Sequence, residues 1–199
     1  SSSAASDVYK RQTKDINTIA LGTGTVGQGA QAVAIGRNAH TDGNNTVAIG
    51  NNTWVRSTNG FALGNEARAG IDEAGNIIGK DNDQAFGSNA RAWGGSSMAF
   101  GNNAKAANGG AIAMGNGSQS RGDWGVAIGN GAKALADGAR ALGANSNASG
   151  VNAAAIGWDS EASGASSIAV GETVKSTGTN SVAIGTGCLL YTSDAADEL

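Results

Sequence analysis

Acidic side chains gathered in one short segment are the first candidates for chemistry. Asp72, Glu73, Asp81 and Asp83 all lie within residues 70–83. Paired carboxylates can exchange protons as general acid and base, and carboxylates in a glycine-containing loop can bind Ca²⁺. Their spacing matches neither the EF-hand loop nor the nonapeptide repeat of calcium-binding β-rolls. We therefore interpret the segment as a solvated charge cluster and predict no metal site.

Nucleophilic catalysis and nucleotide binding have even fewer candidates. A catalytic nucleophile needs an adjacent base, but the chain has one histidine, His40, and one cysteine, Cys188. A GxGxxG motif at residues 22–27, with Asp42 farther on, imitates a dinucleotide-binding fingerprint. That fingerprint requires a helix directly after the glycines, and the next strand-like segment, residues 32–35, begins too soon for one. We therefore predict a non-enzymatic protein that needs no cofactor.

The tryptophans are better candidates for ligand contact. Trp is enriched at binding hot spots, and the four Trp residues occupy four different positions of a sequence repeat, so they are not part of a repeated core. The alternative is that each caps a corner of the fold or packs across a subunit boundary. With two acidic residues of the segment above, the candidate ligand-contact residues are Trp54, Trp93, Trp124, Trp158, Asp72 and Glu73.

The composition excludes several classes of protein. Of 199 residues, 33 are Gly, none is Pro, 15% are charged, and 13 basic residues face 16 acidic ones. This charge balance, without a basic run, argues against binding to nucleic acid. No apolar run approaches the roughly 20 residues of a membrane-spanning helix, and the lack of Pro argues against collagen. Such a composition is typical of a repeat that packs by stacking.

A repeat of 14 residues dominates the sequence. Its pattern is apolar–Ala–apolar–Gly, and every step is 14 residues except one of 23, which is one repeat plus a nine-residue insertion. The repeat glycines are Gly22, Gly36, Gly50, Gly64, Gly87, Gly101, Gly115, Gly129, Gly143, Gly157, Gly171 and Gly185. So many copies in register predict a fold in which each repeat is one structural unit.

Each repeat contains two short strands. The alternation before the glycine is typical of a strand with two different faces. After the glycine, a polar residue lies between two small ones, as in Ala104, Lys105 and Ala106, which predicts a second strand with its small side in and its charged side out. Asn two residues and Gly seven residues after the repeat glycine mark the corners, because both tolerate positive φ. We predict an all-β, parallel β-solenoid or β-roll of about twelve coils.

The pattern leaves open which face of the first strand lies inside. If the large apolar residues point inward, the small outer face permits close approach by another chain. If they point outward, they form an apolar stripe that requires a partner. Arg140 occupies one of these positions, where burial in so thin a roll would be costly. Both orientations favour an oligomer.

Three copies of the repeat keep a fuller motif, Asn–(Ser/Thr)–apolar–Ala–apolar–Gly. Their motif residues are Asn17, Ile19, Leu21 and Gly22, then Asn45, Val47, Ile49 and Gly50, and finally Asn180, Val182, Ile184 and Gly185. This motif and its 14-residue period resemble the head repeat of YadA-type trimeric autotransporter adhesins.

The resemblance implies a left-handed parallel β-roll that packs as a homotrimer. It also implies an adhesive, non-enzymatic head at a bacterial cell surface, which binds host matrix proteins such as collagen or other cells and contributes to virulence. An anchor in the outer membrane, outside this chain, would hold the head. The alternative is a structural segment of a phage tail fibre, since fibrous trimers also use stacked β-repeats.

The nine-residue insertion lies within residues 70–83. Apolar Ile71, Ile77 and Ile78 flank a turn-forming Asp-Glu-Ala-Gly-Asn sequence, which predicts a short hairpin or loop that leaves the roll. Such a loop could contact a ligand. It could equally be a tolerated surface insertion or a brace against a neighbouring subunit.

The two ends of the chain differ from its middle. A DNA sequence that encodes Ser2–Gln12 also encodes Cys188–Glu198 when its complementary strand is read. Inverted copies of one DNA element are not a fold signal, and this DNA resembles a transposon-type sequencing adapter. We therefore predict that residues 1–12 and 188–199 are translated adapter. Residues 13–187 would then be the repeat domain, cut from a longer reading frame.

Overall fold

A computed structural model of the chain describes residues 12–13, 17–78 and 80–190. This part consists of β-strands and turns, and it divides into two compact units, Ser1–Ala104 and Lys105–Leu199. Side chains are described for residues 17–78 and 80–190. Most of the two terminal segments that we assign to adapter sequence lies outside the described residues.

The first unit alternates strands of three and two residues. In order they are β1 (Gln12–Thr13), β2 (Ile19–Leu21), β3 (Val26–Gly27), β4 (Val33–Ile35), β5 (His40–Thr41), β6 (Val47–Ile49), β7 (Trp54–Val55), β8 (Phe61–Leu63), β9 (Arg68–Ala69), β10 (Gln84–Phe86), β11 (Arg91–Ala92) and β12 (Met98–Phe100). Even-numbered strands pair in parallel with even-numbered strands, and odd with odd. Register follows the repeat, so Ala34 pairs with Ala48, and Ala62 pairs with Ala85 across the insertion.

The second unit continues the same alternation. Its strands are β13 (Lys105–Ala106), β14 (Ile112–Met114), β15 (Gln119–Ser120), β16 (Val126–Ile128), β17 (Lys133–Ala134), β18 (Arg140–Leu142), β19 (Asn147–Ala148), β20 (Ala154–Ile156), β21 (Glu161–Ala162), β22 (Ile168–Val170), β23 (Lys175–Ser176), β24 (Val182–Ile184) and β25 (Leu189–Leu190). Each unit thus has an even-strand sheet and an odd-strand sheet. The predicted parallel β-solenoid of about twelve 14-residue coils is confirmed.

Strands β1 and β25 include residues from the predicted adapter segments. Gln12 pairs with Val26, and Leu189 and Leu190 pair with Lys175 and Ser176. Any short apolar or polar segment can extend the edge of a parallel sheet, because the ladder is made by backbone groups. The pairing therefore does not reveal where these residues come from, and their assignment stays a prediction.

Small side chains fill the interior between the two sheets. The central Ala of each even-numbered strand is fully buried from Ala34 to Ala169, and the second residue of each odd-numbered strand from β3 to β23 is also buried, as in Thr41 and Ala134. The large apolar residues beside the central Ala point outward. The structure therefore selects the outward orientation of the two that the sequence left open, and the polar first residues of the odd-numbered strands also face out, as predicted.

Asparagine residues form the corners between the strands. Asn38, Asn52, Asn89, Asn103 and Asn145, each two residues after a repeat glycine, have φ between 53° and 57°. Two of these amides also bond to each other, since Asn38 Nδ2 donates to Asn52 Oδ1 at 3.1 Å. Positive φ suits Asn because its side chain can hydrogen-bond locally. This corner is as the sequence predicts.

The second corner differs from the prediction. Of the glycines seven residues after a repeat glycine, only Gly29 has a positive φ. The left-handed residue lies two positions later, as in Asn45, Asn59 and Asn180. The preceding glycine is needed for space instead, because a Cβ on Gly122 would collide with the backbone carbonyl of Ala136 in the next coil.

Candidate functional site

The outer face of the even-strand sheet carries exposed apolar side chains in each unit. In the first unit, Phe61, Phe86 and Phe100 form a ladder in which successive ring centroids are 4.8 and 5.5 Å apart. In the second unit, Ile128 is 39% exposed. Arg140 lies on the same face, in the neighbouring column that contains Val126, and it is exposed, so its charge stays in water. Contiguous exposed apolar surface of this kind marks an interaction site.

The three fuller motifs position this apolar face. Asn17, Asn45 and Asn180 precede their strands with φ of 60°, 54° and 58°. Gly22, Gly50 and Gly185 end the strands with φ of 134°, 138° and 127°. The apolar pairs between these corners are Ile19 and Leu21, Val47 and Ile49, and Val182 and Ile184, all exposed or half-buried. The motif therefore builds the apolar face, and nothing in it is arranged for catalysis.

The outer face of the odd-strand sheet in the first unit carries an aromatic and cationic column. His40, Trp54, Arg68 and Arg91 are successive partners in register. The rings of His40 and Trp54 stack at 4.4 Å with an angle of 17° between their planes. Burial is the main cause that lowers the pKa of His40, so this ring stays neutral near pH 7 and stacks without the cost of a buried charge.

A third arginine completes this cluster. Arg56 Cζ lies 5.3 Å from the centroid of the Trp54 ring, within the range of a cation–π contact. Arg56 Nε also lies 3.8 Å from Asp42 Oδ2, which is too long for a hydrogen bond. The Arg56 guanidinium is thus held against the Trp54 ring, and its Nε makes no hydrogen bond.

The inserted segment forms the predicted hairpin, but it does not leave the roll. Ile71 and Ile77 form an antiparallel bridge, and Ile71 is only 5% exposed. The hairpin instead lies over the aromatic and cationic column, where Ile71 buries apolar area while Ile77 stays 54% exposed. A cavity of about 320 Å³ remains between hairpin and sheet. It is lined by Trp54, Arg56, Arg68, Ile71, Gly75 and Ile77.

The two acidic candidates of the hairpin shape its turn. Asp72 accepts hydrogen bonds from the Asn76 backbone at 2.7 Å and from Asn76 Nδ2 at 2.9 Å. The Asn76 side chain is the largest cause that lowers the pKa of Asp72, so this carboxylate is ionised and engaged within the turn. The backbone carbonyl of Glu73 accepts from Arg91 Nη1 at 3.2 Å, which ties the hairpin to the sheet. Neither side chain lines the cavity.

Of the four predicted tryptophans, Trp54 lines the hairpin cavity. Trp93 is half-buried just after β11. Trp124 is 74% exposed, has φ of 58° and lies over Gly110, where an added Cβ would be 2.5 Å from its Cε3. It therefore covers a corner, which is the alternative to ligand contact. Trp158 is 52% exposed beside its repeat glycine. Trp54 is thus the one candidate residue that lines this cavity.

Sequence reasoning missed the arginines and isoleucines of the cavity. The signal was present, since Trp54 and Arg68 are 14 residues apart and lie at the same position of the repeat. Register then places them side by side. The contribution of Ile71 and Ile77 had no such signal, because the insertion has no equivalent in the other repeats.

Asp83 is the one member of the acidic segment that enters the interior. It is fully buried, and its Oδ1 accepts hydrogen bonds from the backbone N–H of Gly95 at 2.8 Å and from Ser97 Oγ at 2.7 Å. Its Oδ2 is buried without a partner. Burial raises the pKa of Asp83, and this effect outweighs the hydrogen bonds, which lower the pKa.

Asp83→Asn is expected to raise the melting temperature at pH 7 by a few degrees. The substitution keeps the Oδ1 acceptor and removes a buried charge, whose cost is about 1.4 kcal/mol for each unit by which burial raises the pKa, and 1 kcal/mol corresponds to about 2–4 °C in a chain of this size. A proton on Asp83 stabilises the fold, because its pKa is higher folded than unfolded. This stabilisation is present below the ordinary value of 3.8 and lost as the pH rises through the raised pKa.

The difference in melting temperature between Asp83→Asn and the parent chain should therefore shrink as the pH falls towards 3.8. Thermal melts followed by circular dichroism from pH 7 to pH 4 measure it. Asp81→Asn is the matched control, since Asp81 is exposed and two residues away. A difference that stays constant over this pH range would contradict the assignment.

Stacked parallel coils with one apolar and one polar outer face define this protein as a β-solenoid domain built for interaction. The model of the YadA head domain repeat (2 copies) matches residues 28–53, 81–104, 92–118, 120–146, 134–160, 148–172 and 162–187. These segments cover more than half of the chain, which therefore belongs to the YadA head domain repeat family. No curated protein sequence matches the chain.

The family suggests an adhesin-like function of the trimeric autotransporter type at a cell surface, and it is in general non-enzymatic. Trimeric assembly is also a general property of such heads. Across the described residues, no helix has the length and apolarity that crossing a membrane would require.

Proposed function

We propose that this chain is the adhesive head of a bacterial trimeric autotransporter, held at the cell surface by an anchor in the outer membrane. The observation that carries the proposal is the outward column of large apolar residues on the even-strand sheet. In each unit, exposed apolar columns outside an interior that is filled largely with Ala and Ser call for a partner surface. A second and third copy of the same chain supply one.

In this arrangement the even-strand sheets of three copies pack against one another, and the odd-strand sheets face the surroundings. Burial of the apolar face supplies the main free energy of assembly, at about 25 cal/mol per Å². The polar odd-strand faces are then presented three times on one particle. Three equivalent faces bind a repetitive target with an avidity that can exceed a single contact by about 10²–10⁴.

The targets proposed are host extracellular matrix, such as collagen, and the surfaces of other cells. The test is binding of the full chain to immobilised matrix proteins and to whole cells, measured by interferometry and by bead adhesion. We expect saturable binding to at least one of these surfaces by the trimer and loss of that binding in a monomeric variant. A trimer that binds none of these surfaces would overturn the adhesive function.

The genomic setting of the gene provides an independent test. Long-read sequencing across the locus is expected to show a frame that continues into coiled-coil heptads and a membrane anchor. A frame flanked by phage tail and baseplate genes would instead assign the domain to a tail fibre. The β-solenoid itself would be unaffected by that outcome.

A further inference from the structure

The cavity under the hairpin has features of a built binding site. It is formed by residues of one copy of the chain, so it does not depend on trimer formation. Its volume of about 320 Å³ lies at the lower end of the range for ligand pockets, roughly 300–1,000 Å³. A space of this size accepts one ring with its substituents, whereas an extended peptide needs a groove.

The two arginines of the cavity keep unused hydrogen-bond donors. The Nε atoms of Arg56 and Arg68 are both buried and make no hydrogen bond. Within the described residues, the side chain of Arg68 makes no ion pair, and that of Arg56 has only the 3.8 Å approach to Asp42. A buried donor without an acceptor is costly, and a ligand that brings oxygen acceptors into the cavity would remove this cost.

The donors specify the chemistry of that ligand. A guanidinium presents its N–H groups in a planar fork that matches a carboxylate, sulfate or phosphate, and these charge-assisted bonds are about twice as strong as neutral ones. The hairpin carboxylates do not line the cavity, and that of Asp72 is already held by Asn76. Two arginines at one cavity therefore favour an anion.

The remaining walls specify the body of the ligand. Trp54, Ile71 and Ile77 present apolar surface beside the arginines. A pyranose ring has apolar C–H faces that pack on such walls, and its acidic substituent can reach the guanidinium groups at the same time. The chain as a whole carries a net charge of −3, so a long polyanion gains little from the overall field, and recognition rests on the local contacts.

We propose that the hairpin cavity binds an acidic carbohydrate, with Arg56 and Arg68 bonding its carboxylate or sulfate group and Trp54, Ile71 and Ile77 contacting its sugar ring. The inserted hairpin is then the element that turns one stretch of a plain repeat surface into a ligand site. The other coils in the described part of the chain have no such hairpin and offer no equivalent cavity wall.

The test is isothermal titration calorimetry with the full chain. The probes are a sulfated heparin disaccharide, 3′-sialyllactose, neutral lactose and an acidic Asp/Glu peptide. We expect saturable binding of at least one acidic sugar and none of lactose. Tighter binding of the heparin disaccharide identifies the acidic group as a sulfate, and tighter binding of 3′-sialyllactose identifies it as a carboxylate. Binding of the peptide alone, or equal binding of lactose, would overturn the proposal, as would no binding of either acidic sugar at millimolar concentration.

Two pairs of variants locate the site. Arg68→Gln removes one guanidinium and should weaken binding at least tenfold, whereas Lys133→Gln, at the equivalent repeat position away from the hairpin, should not. Ile77→Glu places a carboxylate at the cavity and should abolish binding, whereas Ile78→Glu changes a neighbour that does not line it. Melting curves check that all four remain folded. Unchanged affinity in folded Arg68→Gln and Ile77→Glu would exclude this cavity as the site.

Discussion

A chain that carries Ile128→Glu is expected to sediment as a monomer under conditions in which the parent chain sediments as a trimer. Ile128 lies in the apolar column with Met114 and Leu142 as its neighbours in register. In a monomer the new carboxylate lies at a partly exposed position, where substitutions usually change stability by no more than about 0.5 kcal/mol. In the proposed trimer it is buried against apolar side chains in every copy.

The penalty of that burial decides the outcome. An unpaired charge taken into an apolar interface costs several kcal/mol even after relaxation, and the trimer contains the change three times. A loss of this size raises the protein concentration needed for trimer formation by several powers of ten. Sedimentation equilibrium at micromolar concentration measures the species directly, and circular dichroism shows that the β-solenoid is retained.

Lys133→Glu is the matched control for this substitution. Lys133 lies in the same coil as Ile128, but it is exposed on the odd-strand sheet, which faces away from the proposed interface. The control should remain trimeric. If the parent chain were a stable monomer, or if Ile128→Glu assembled like the parent, the apolar face would not be the trimer interface.

The 14-residue period made the fold predictable. Because one repeat is one coil, the same spacing that identifies the strands also fixes their parallel register, as in the pairing of Ala127 with Ala141. The corner at Asn38 and Asn52 was predictable because Asn tolerates positive φ. The second corner lies at the predicted glycine, but the reason given for it was wrong, because the glycine serves close approach between coils and the left-handed residue lies two positions later.

The orientation of the first strand could not be derived from the pattern alone. Both of its faces are apolar, one small and one large, so alternation identifies two faces without telling which is inside. The decisive quantity is the distance between the sheets, which only the folded backbone reveals. Arg140 was the one residue whose chemistry favoured the outward orientation, because a guanidinium in so thin an interior would have no partner.

The hairpin cavity shows the limit of the same reasoning. The sequence predicts a hairpin at the insertion from its turn residues, but nothing in a single insertion encodes the direction in which it packs. Folding back over Trp54 follows from tertiary contacts of Ile71 and Ile77. The candidate carboxylates of the insertion, Asp72 and Glu73, instead serve its turn and its attachment.

Gly129→Ala is expected to destabilise the second unit by at least about 2 kcal/mol. Gly129 has φ of 137°, a conformation that costs L-residues about 1–3 kcal/mol. In addition, the new Cβ would lie 2.5 Å from the carbonyl carbon of Gly143 in the next coil. That neighbour is backbone and cannot rotate away, so the coils must separate. Thermal melts and denaturant titrations measure the loss.

Gly117→Asn provides the control for the loss of a repeated glycine. Gly117 has φ of 66°, and a Cβ there would meet nothing within 4 Å. Asn89, Asn103 and Asn145 already occupy the equivalent position of other coils at φ of 55° to 57°. The substitution should therefore leave stability unchanged within about 0.5 kcal/mol. Equal melting temperatures for Gly129→Ala and Gly117→Asn would contradict a steric role for Gly129.

The place at which Gly129→Ala weakens the fold is more informative than the total loss of stability. Coils of a solenoid contact only their neighbours, so a clash between two coils weakens that interface and leaves distant ones intact. The N–H of Gly143 donates to the carbonyl of Ile128 at 2.8 Å across this interface. In Gly129→Ala, hydrogen exchange should accelerate first at Gly143 and its neighbours. Exchange that accelerates uniformly along the second unit would instead mean that its coils unfold as one cooperative block.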